Sequence, residues 1–390
     1  SHQLQTRTAP NSLFAVSDLN GDAIVDLVAA LSGDTLSYLQ GKGDGTFLSP
    51  YANVSYPTGK GPTAALVANL DADAIADIAF ANRDSESVTV LTGRSDGSFA
   101  TKVDYSVGAL PIAIASSDVN GDGRADLAVS HASKNAVSVL LAQANGSFRA
   151  SAPYSVDQSP TGIALGDLNG DGRADVVSAN LSTISVYLSQ NDGVLATRAD
   201  YAADGSAGSR AIALADFNLD GKRDVAITTD VAQGVAVLLG RGDGTFDERM
   251  KYPSGGEPHG MDVGDLNNDG KTDLVVTNRS SNTVAVLLGR GNGGFEDYVE
   301  YQTGASPSSV VIADLNGDAK LDLTVANSAA DSISVFLGRG EGTFAPRLEY
   351  PTLGATAFAV VTDFDHDGRP DVGVAHPDAN RFTILPNQCL

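Results

Sequence analysis

The sequence predicts an all-β chain built from eight copies of one four-stranded antiparallel unit, and three observations carry that prediction. An acidic nonapeptide recurs eight times at near-constant spacing. Runs of small and β-branched residues follow each copy in the same order. A glycine turn, ending in phenylalanine in most copies, sits at a fixed distance behind it.

The nonapeptide reads DLNGDAIVD from Asp18, NLDADAIAD from Asn69, DVNGDGRAD from Asp118, DLNGDGRAD from Asp167, DFNLDGKRD from Asp216, DLNNDGKTD from Asp265, DLNGDAKLD from Asp314 and DFDHDGRPD from Asp363. A spacing of about 50 residues kept through the chain marks a duplicated structural unit. In the third copy the strand-like pieces are PIAIASSDV, DLAVSHA, AVSVLLAQ and a short piece from Phe148 to Tyr154. The third and fourth pieces are joined by a turn that reads GDGTF at Gly43 and Gly242, SDGSF at Ser95, ANGSF at Ala144, GNGGF at Gly291 and GEGTF at Gly340. Asp-Gly and Asn-Gly supply the positive φ that such tight turns require.

Four antiparallel strands make one propeller blade. The expected architecture is therefore an eight-bladed β-propeller forming a single domain over residues 1–390. The eighth unit ends after its third strand, whereas residues 2–9 stand in the place of an outer strand, equivalent to residues 347–354. The N-terminal strand is expected to complete the last blade and close the ring, leaving no exposed end.

Composition narrows the function. The formal charge of −23, from 25 Lys and Arg against 48 Asp and Glu, repels a phosphate backbone and an anionic membrane. Nucleic acid and membrane insertion are excluded as partners on this reading, and no run approaches the roughly 18 apolar residues of a membrane span. Cys389 is the single cysteine, so no disulfide framework can form within one chain. The first residues, SHQLQTRTAP, lack an apolar signal core, and a soluble, already processed, monomeric chain is expected.

Oxygen-bearing side chains at alternate positions of a tight loop suit a hard cation such as Ca²⁺, whereas zinc calls for His or Cys. The candidate ligands are Asp18, Asn20, Asp22 and Asp26; Asn69, Asp71, Asp73 and Asp77; Asp118, Asn120, Asp122 and Asp126; Asp167, Asn169, Asp171 and Asp175; Asp216, Asn218, Asp220 and Asp224; Asp265, Asn267, Asp269 and Asp273; Asp314, Asn316, Asp318 and Asp322; and Asp363, Asp365, Asp367 and Asp371. Up to eight calcium ions would be held. About half of the 48 acidic residues crowd into these loops, where unneutralised carboxylates repel one another. The alternative is a set of Asx turns whose carboxylates bond only the backbone.

The paired signature, D-x-N-x-D-G-x-x-D with the glycine turn, resembles the FG-GAP/VCBS repeats that build integrin-α-like propellers, over nearly the whole chain. The resemblance implies a further ligand from the seventh-position carbonyl, at Arg124, Arg173, Lys222, Lys271, Lys320 and Arg369. Ala23, Ala74 and Ala319 replace the sixth-position glycine and Asn69 replaces the leading Asp, so the loops at 18, 69 and 314 are expected to bind more weakly.

Strand order places the acidic loops and glycine turns on one face and the variable loops on the other. Arg83, His131, Lys134, Arg210, His259, Arg279 and Arg381 are the candidate partner-binding residues there, with Lys60 and His376 nearby. The irregular segment from Asp204 to Arg210 is the favoured place for a specific contact. Tyr56, Tyr105, Tyr154, Tyr201, Tyr252, Tyr301 and Tyr350 recur in register, a periodicity that points to packing rather than sugar stacking.

The leading function is a secreted or cell-surface, non-catalytic module that binds a protein or matrix polymer. Carbohydrate binding, or a propeller within a polysaccharide-active enzyme, is the alternative. A Ca²⁺-dependent lyase or hydrolase with His259 or His131 as base is a third reading. No nucleophile elbow, His-Glu-x-x-His motif or phosphate loop is present.

Overall fold

A computed structural model describes residues 13–20, 22–31, 35–43, 54–71, 73, 75–94, 98–108, 110–203, 211–229, 233–352, 356, 358–365, 367–376 and 381–387. The described chain is all-β, a run of antiparallel sheets taken in sequence order with no helix among the described residues. No helix there is long and apolar enough to cross a membrane.

The sixth sheet shows how the repeat folds. Pro258–Gly264, Asp273–Asn278, Thr283–Leu287 and Val299–Gln302 pair in that order. Leu274 stands opposite Leu287 and Asn278 opposite Thr283, and Thr283 in turn faces Gln302. The second and third strands are buried along their whole length, whereas the fourth is mostly exposed. Sequences such as DLVVTN and TVAVL suit that position, because small and β-branched side chains pack on both faces of a strand covered on each side by a neighbouring sheet. The tight connection from second to third strand places its last residue at positive φ, as at Asn135, Asn282 and Asp331, residue types that tolerate this conformation.

The chain forms two compact units, Ser1–Tyr201 and Ala202–Leu390. Within each unit the first strand of one sheet lies beside the first strand of the next. Outside that inner row, the in-register tyrosines pack edge-to-face on the turn phenylalanine of the following sheet. Tyr56 meets Phe99 at 5.1 Å, Tyr105 meets Phe148 at 5.5 Å, Tyr252 meets Phe295 at 5.0 Å and Tyr301 meets Phe344 at 5.4 Å between ring centroids. The Tyr56 and Tyr105 hydroxyls also accept the Phe99 and Phe148 N–H groups, at 3.0 and 3.2 Å. The periodic tyrosines are thus packing residues.

A second device ties neighbouring outer strands. Lys102 donates to the Thr58 carbonyl while pairing with Asp104, Arg198 donates to the Ser155 carbonyl while pairing with Asp200, and Arg347 donates to the Gln302 carbonyl while pairing with Glu349. Each basic side chain reaches back to the preceding sheet and is held in place by an acid on its own.

Among the described residues seven sheets have four strands or more, and the eighth has three, Phe358–Thr362, Asp371–His376 and Arg381–Leu385. The complete blades therefore number seven, not the eight expected. After its third strand the chain turns in to Asn387, whose N–H bonds Asp371 at 2.7 Å, where the other units enter the glycine turn. The strand expected to finish that sheet and close the ring, residues 2–9, lies outside the described residues.

Candidate metal-binding loops

Each acidic nonapeptide links the first strand of a sheet to the second. In the fourth sheet these are Gly162–Gly166 and Asp175–Ala179. Asp167 Oδ1 accepts the Gly170 and Asp171 N–H groups at 2.7 and 3.2 Å, and Oδ2 accepts that of Gly172 at 2.9 Å. Asn169 Oδ1 accepts the Asp171 N–H at 3.0 Å, and Asp171 Oδ1 accepts that of Arg173 at 2.9 Å. The backbone is thereby curled around its own side-chain oxygens. The bond from first-position carboxylate to sixth-position N–H recurs at Asp18, Asp118, Asp216, Asp265, Asp314 and Asp363, between 2.7 and 2.9 Å. These are Asx-type contacts, and in the fourth sheet's loop they leave a second lone pair on Asp167 Oδ2, Asn169 Oδ1 and Asp171 Oδ1 for a cation.

The curl demands positive φ at the sixth position. Gly123, Gly172, Gly221, Gly270 and Gly368 have φ between 80 and 86°, and Ala23 and Ala319 are forced to 66 and 62°. The expected strain at those alanines is therefore present; Ala74 lies outside the described residues. Sequence reasoning missed that the fourth position needs the same conformation. Gly121, Gly170 and Gly317 supply it, but Leu219 and Asn268 adopt it at 60 and 57°, which puts conformational cost into loops that keep the sixth-position glycine.

The ninth aspartate has a structural role that its place in the motif does not reveal. In all eight loops one oxygen accepts the N–H of the second loop residue and the other accepts an N–H at or just after the end of the third strand, at 2.6 to 3.0 Å. Asp26, Asp77, Asp126, Asp175, Asp224, Asp273, Asp322 and Asp371 are all fully buried. They staple loop, second strand and turn together, satisfying two backbone donors that would otherwise be orphaned. Burial, augmented by the other loop carboxylates, pushes Asp77, Asp126, Asp175 and Asp273 up to about 6.

At the loop surface the seventh residue acts through its side chain as well. Arg124 pairs with Asp122 at 2.6 Å, Lys222 with Asp220 at 3.3 Å, Lys271 with Asp269 at 2.7 Å and Lys320 with Asp318 at 3.1 Å, and Arg173 pairs with Asp171. The lysine hydrogen bonds hold Asp269 and Asp318 below the ordinary carboxylate range. The first two loops carry Ile24 and Ile75 at this position. Arg369 of the last loop makes no ion pair among the described residues.

The last loop differs in another respect. Oxygens of Asp363, Asp365 and Asp371 lie within 4.8 Å of one another, the one such acidic group among the described residues. Asp363 Oδ1 is buried without a hydrogen-bond partner there. An all-oxygen cluster with an unsatisfied buried carboxylate oxygen fits a hard divalent cation.

The candidate partner-binding residues are not a single set. His131 is 1% exposed, with Nε2 hydrogen-bonded to Ser138 Oγ at 2.9 Å, so its place at the end of a buried strand removes it from a docking surface. His259 is half-buried and donates from Nδ1 to the Ser308 carbonyl at 2.9 Å. Lys134 and Arg279 are exposed and Arg83 half-buried in second-to-third connections, Arg83 pairing with its neighbour Asp84. Arg210, with the segment from Asp204, and the Arg381 side chain lie outside the described residues.

A family model described as an FG-GAP-like repeat matches seven times, at residues 18–80, 69–129, 118–178, 167–227, 216–276, 265–325 and 314–374. No curated protein matches the sequence. Among solved structures, a lectin from Agrocybe aegerita that recognises non-reducing terminal N-acetylglucosamine is 20% identical, over 75% of this chain and 80% of its own, with a TM-score of 0.55. A structure described as a putative 6-phosphogluconolactonase from Bacteroides fragilis is 15% identical, over 90% and 97%, at 0.56. BBS1N, solved in complex with ARL6DN, is 13% identical, over 85% and 93%, at 0.56. These likenesses are of fold alone. With seven matched repeats running from residue 18 to residue 374 and each folded as propeller-type sheets, the chain belongs to the FG-GAP-like repeat family of β-propeller proteins.

Proposed function

We propose that the chain is a calcium-binding interaction module that works outside the cell and performs no chemistry of its own. The observation that carries the calcium reading is the last loop, where three carboxylates converge around a buried, unsatisfied Asp363 oxygen. Asp363, Asp365, Asp367 and Asp371, with the Arg369 carbonyl, would hold the ion there, and the equivalent residues would do so in the other loops. Calcium supplies the positive charge that these carboxylates lack in a chain of net charge −23. The strained Ala23 and Ala319 loops, and the Asn69 loop with an amide in place of the leading carboxylate, bind less tightly.

Loops of this kind fill at the millimolar calcium found outside cells rather than at cytosolic levels, which supports secretion or surface display. The partner is a protein or matrix polymer, engaged through exposed loops such as those of Arg83, Lys134 and Arg279. The test is thermal unfolding with and without excess EDTA, followed by calcium and magnesium titration of the stripped protein. A fall in melting temperature that Ca²⁺ restores and Mg²⁺ restores poorly is expected. An unchanged melt would reduce the loops to Asx turns.

A further inference from the structure

A groove of about 380 Å³ runs between the outer strand of the sixth sheet, Val299–Gln302, and the turn that precedes the outer strand of the seventh. Its wall is aromatic. Tyr301 meets Phe344 at 5.4 Å and Phe336 at 5.9 Å, both edge-to-face. Ala345 and Pro346 continue the apolar lining, and Arg339 and Arg347 border it.

The repeat itself shows why this groove is basic in so acidic a chain. In the fifth sheet the in-register Arg241 is neutralised by Asp247 at 2.7 Å, with Glu248 beside it. In the seventh, Ala345 and Pro346 occupy those two positions. Arg339 is exposed and makes no ion pair among the described residues. Arg347 is held by Glu349 at 2.6 Å and by the Gln302 carbonyl, which fixes its guanidinium at the rim while leaving it further N–H donors. The groove thus offers one guanidinium with no ion pair among the described residues, Arg339, and a second, Arg347, that is paired with Glu349 but keeps N–H donors to spare, beside a carbon-lined wall.

We propose that this groove binds an acidic peptide segment, with a carboxylate received by Arg339 and Arg347 and an adjacent apolar side chain laid against Phe344, Ala345 and Pro346. Guanidinium forks match carboxylates bidentately. The lining favours a peptide over a sugar, because Gln302 and the Tyr301 hydroxyl are its two neutral polar side-chain groups, whereas sugar hydroxyls need several. The net charge of the chain opposes docking of a short acidic segment only weakly at physiological salt, where fields fade beyond about 8 Å. This inference rests on the binding-module reading and not on calcium.

The test titrates calcium-saturated full-length protein against a fluorescein-labelled Leu-Glu-Leu-Glu-Leu-Glu peptide, with the glutamine counterpart as control and sodium sulfate and glucuronate as competitors. Saturable binding is expected for the glutamate peptide alone. Arg339→Glu should weaken it by about tenfold. Ala345→Asp, which restores the in-register acid, should weaken it by about fivefold with every arginine retained. Both variants should keep the wild-type melt, so that lost binding is not lost folding. Absence of saturable binding, equal binding of the glutamine peptide, or unchanged affinity in both variants overturns the proposal. Displacement by glucuronate or sulfate at concentrations where the peptide competes also overturns it, by making the groove a simple oxyanion site. None of these results touches the calcium reading, which is decided by the EDTA melt.

Discussion

Replacing Asp273 by alanine separates the staple role of the ninth loop residue from any metal role. The carboxylate accepts the Leu266 N–H at 2.8 Å and the Gly289 N–H at 2.6 Å and is fully buried, so alanine leaves two donors without acceptors. Each orphaned group costs about 1–3 kcal/mol, and removing the buried charge returns part of that, leaving a net loss of about 1–4 kcal/mol at pH 7. The loss must appear in EDTA, where metal cannot contribute, and it must grow on acidification. Burial pushes Asp273 to about 6 from 3.8, so the folded wild type binds more protons than the unfolded chain between those values. Its stability therefore rises as pH falls through 6, by about 1.3 kcal/mol from pH 7 to pH 5 for this group, a gain alanine cannot make. Urea unfolding in EDTA at the two pH values is the assay. Asp269→Asn, at the exposed fifth position, is the control and should leave the EDTA curve in place while weakening calcium binding. An alanine variant that unfolds with the wild type in EDTA would refute the staple.

Three further outcomes are expected. Across pH 7 to 5 the stripped protein should become more stable, because Asp77, Asp126, Asp175 and Asp273 all titrate near 6, whereas the calcium-loaded protein should become less stable as protons displace metal; melts at both conditions check the opposite slopes. Ala319→Gly should stabilise by about 0.5–1 kcal/mol by relieving a φ of 62°, read as a shift in the urea midpoint. Phe295→Ala should cost about 3–5 kcal/mol in the same measurement, because its buried ring meets both Phe217 at 5.7 Å and Tyr252 at 5.0 Å.

The strand pattern was legible because it is local. Runs such as DLAVSHA and AVSVLLAQ became the buried strands Asp126–His131 and Ala136–Ala142, since small and β-branched residues between turn signals have few other ways to be covered. The curled loops were legible for the same reason, each being closed by contacts within nine residues. The fourth-position conformation had a signal in the glycines of Gly121, Gly170 and Gly317 that was open to reading. Leu219 and Asn268 hid it by adopting a glycine-like φ without being glycine.

By itself, then, the sequence determined the all-β class, the strand order within a unit, the oxygen-rich character of the loops and the packing role of the periodic tyrosines. Tertiary structure alone decided what each side chain does at a distance. Asp126 bonds Ala142, sixteen residues on, because the register of two strands brings that N–H over the carboxylate. His131 is buried because the strand it ends is covered on both faces, and Arg339 makes no ion pair among the described residues, where the in-register Arg241 meets Asp247. Among the described residues the eighth sheet has three strands, and the chain turns inward at Asn387. Residue type and spacing record which groups recur, but burial and hydrogen-bond partnership depend on which surfaces meet when the units stack, and that is set by the fold as a whole.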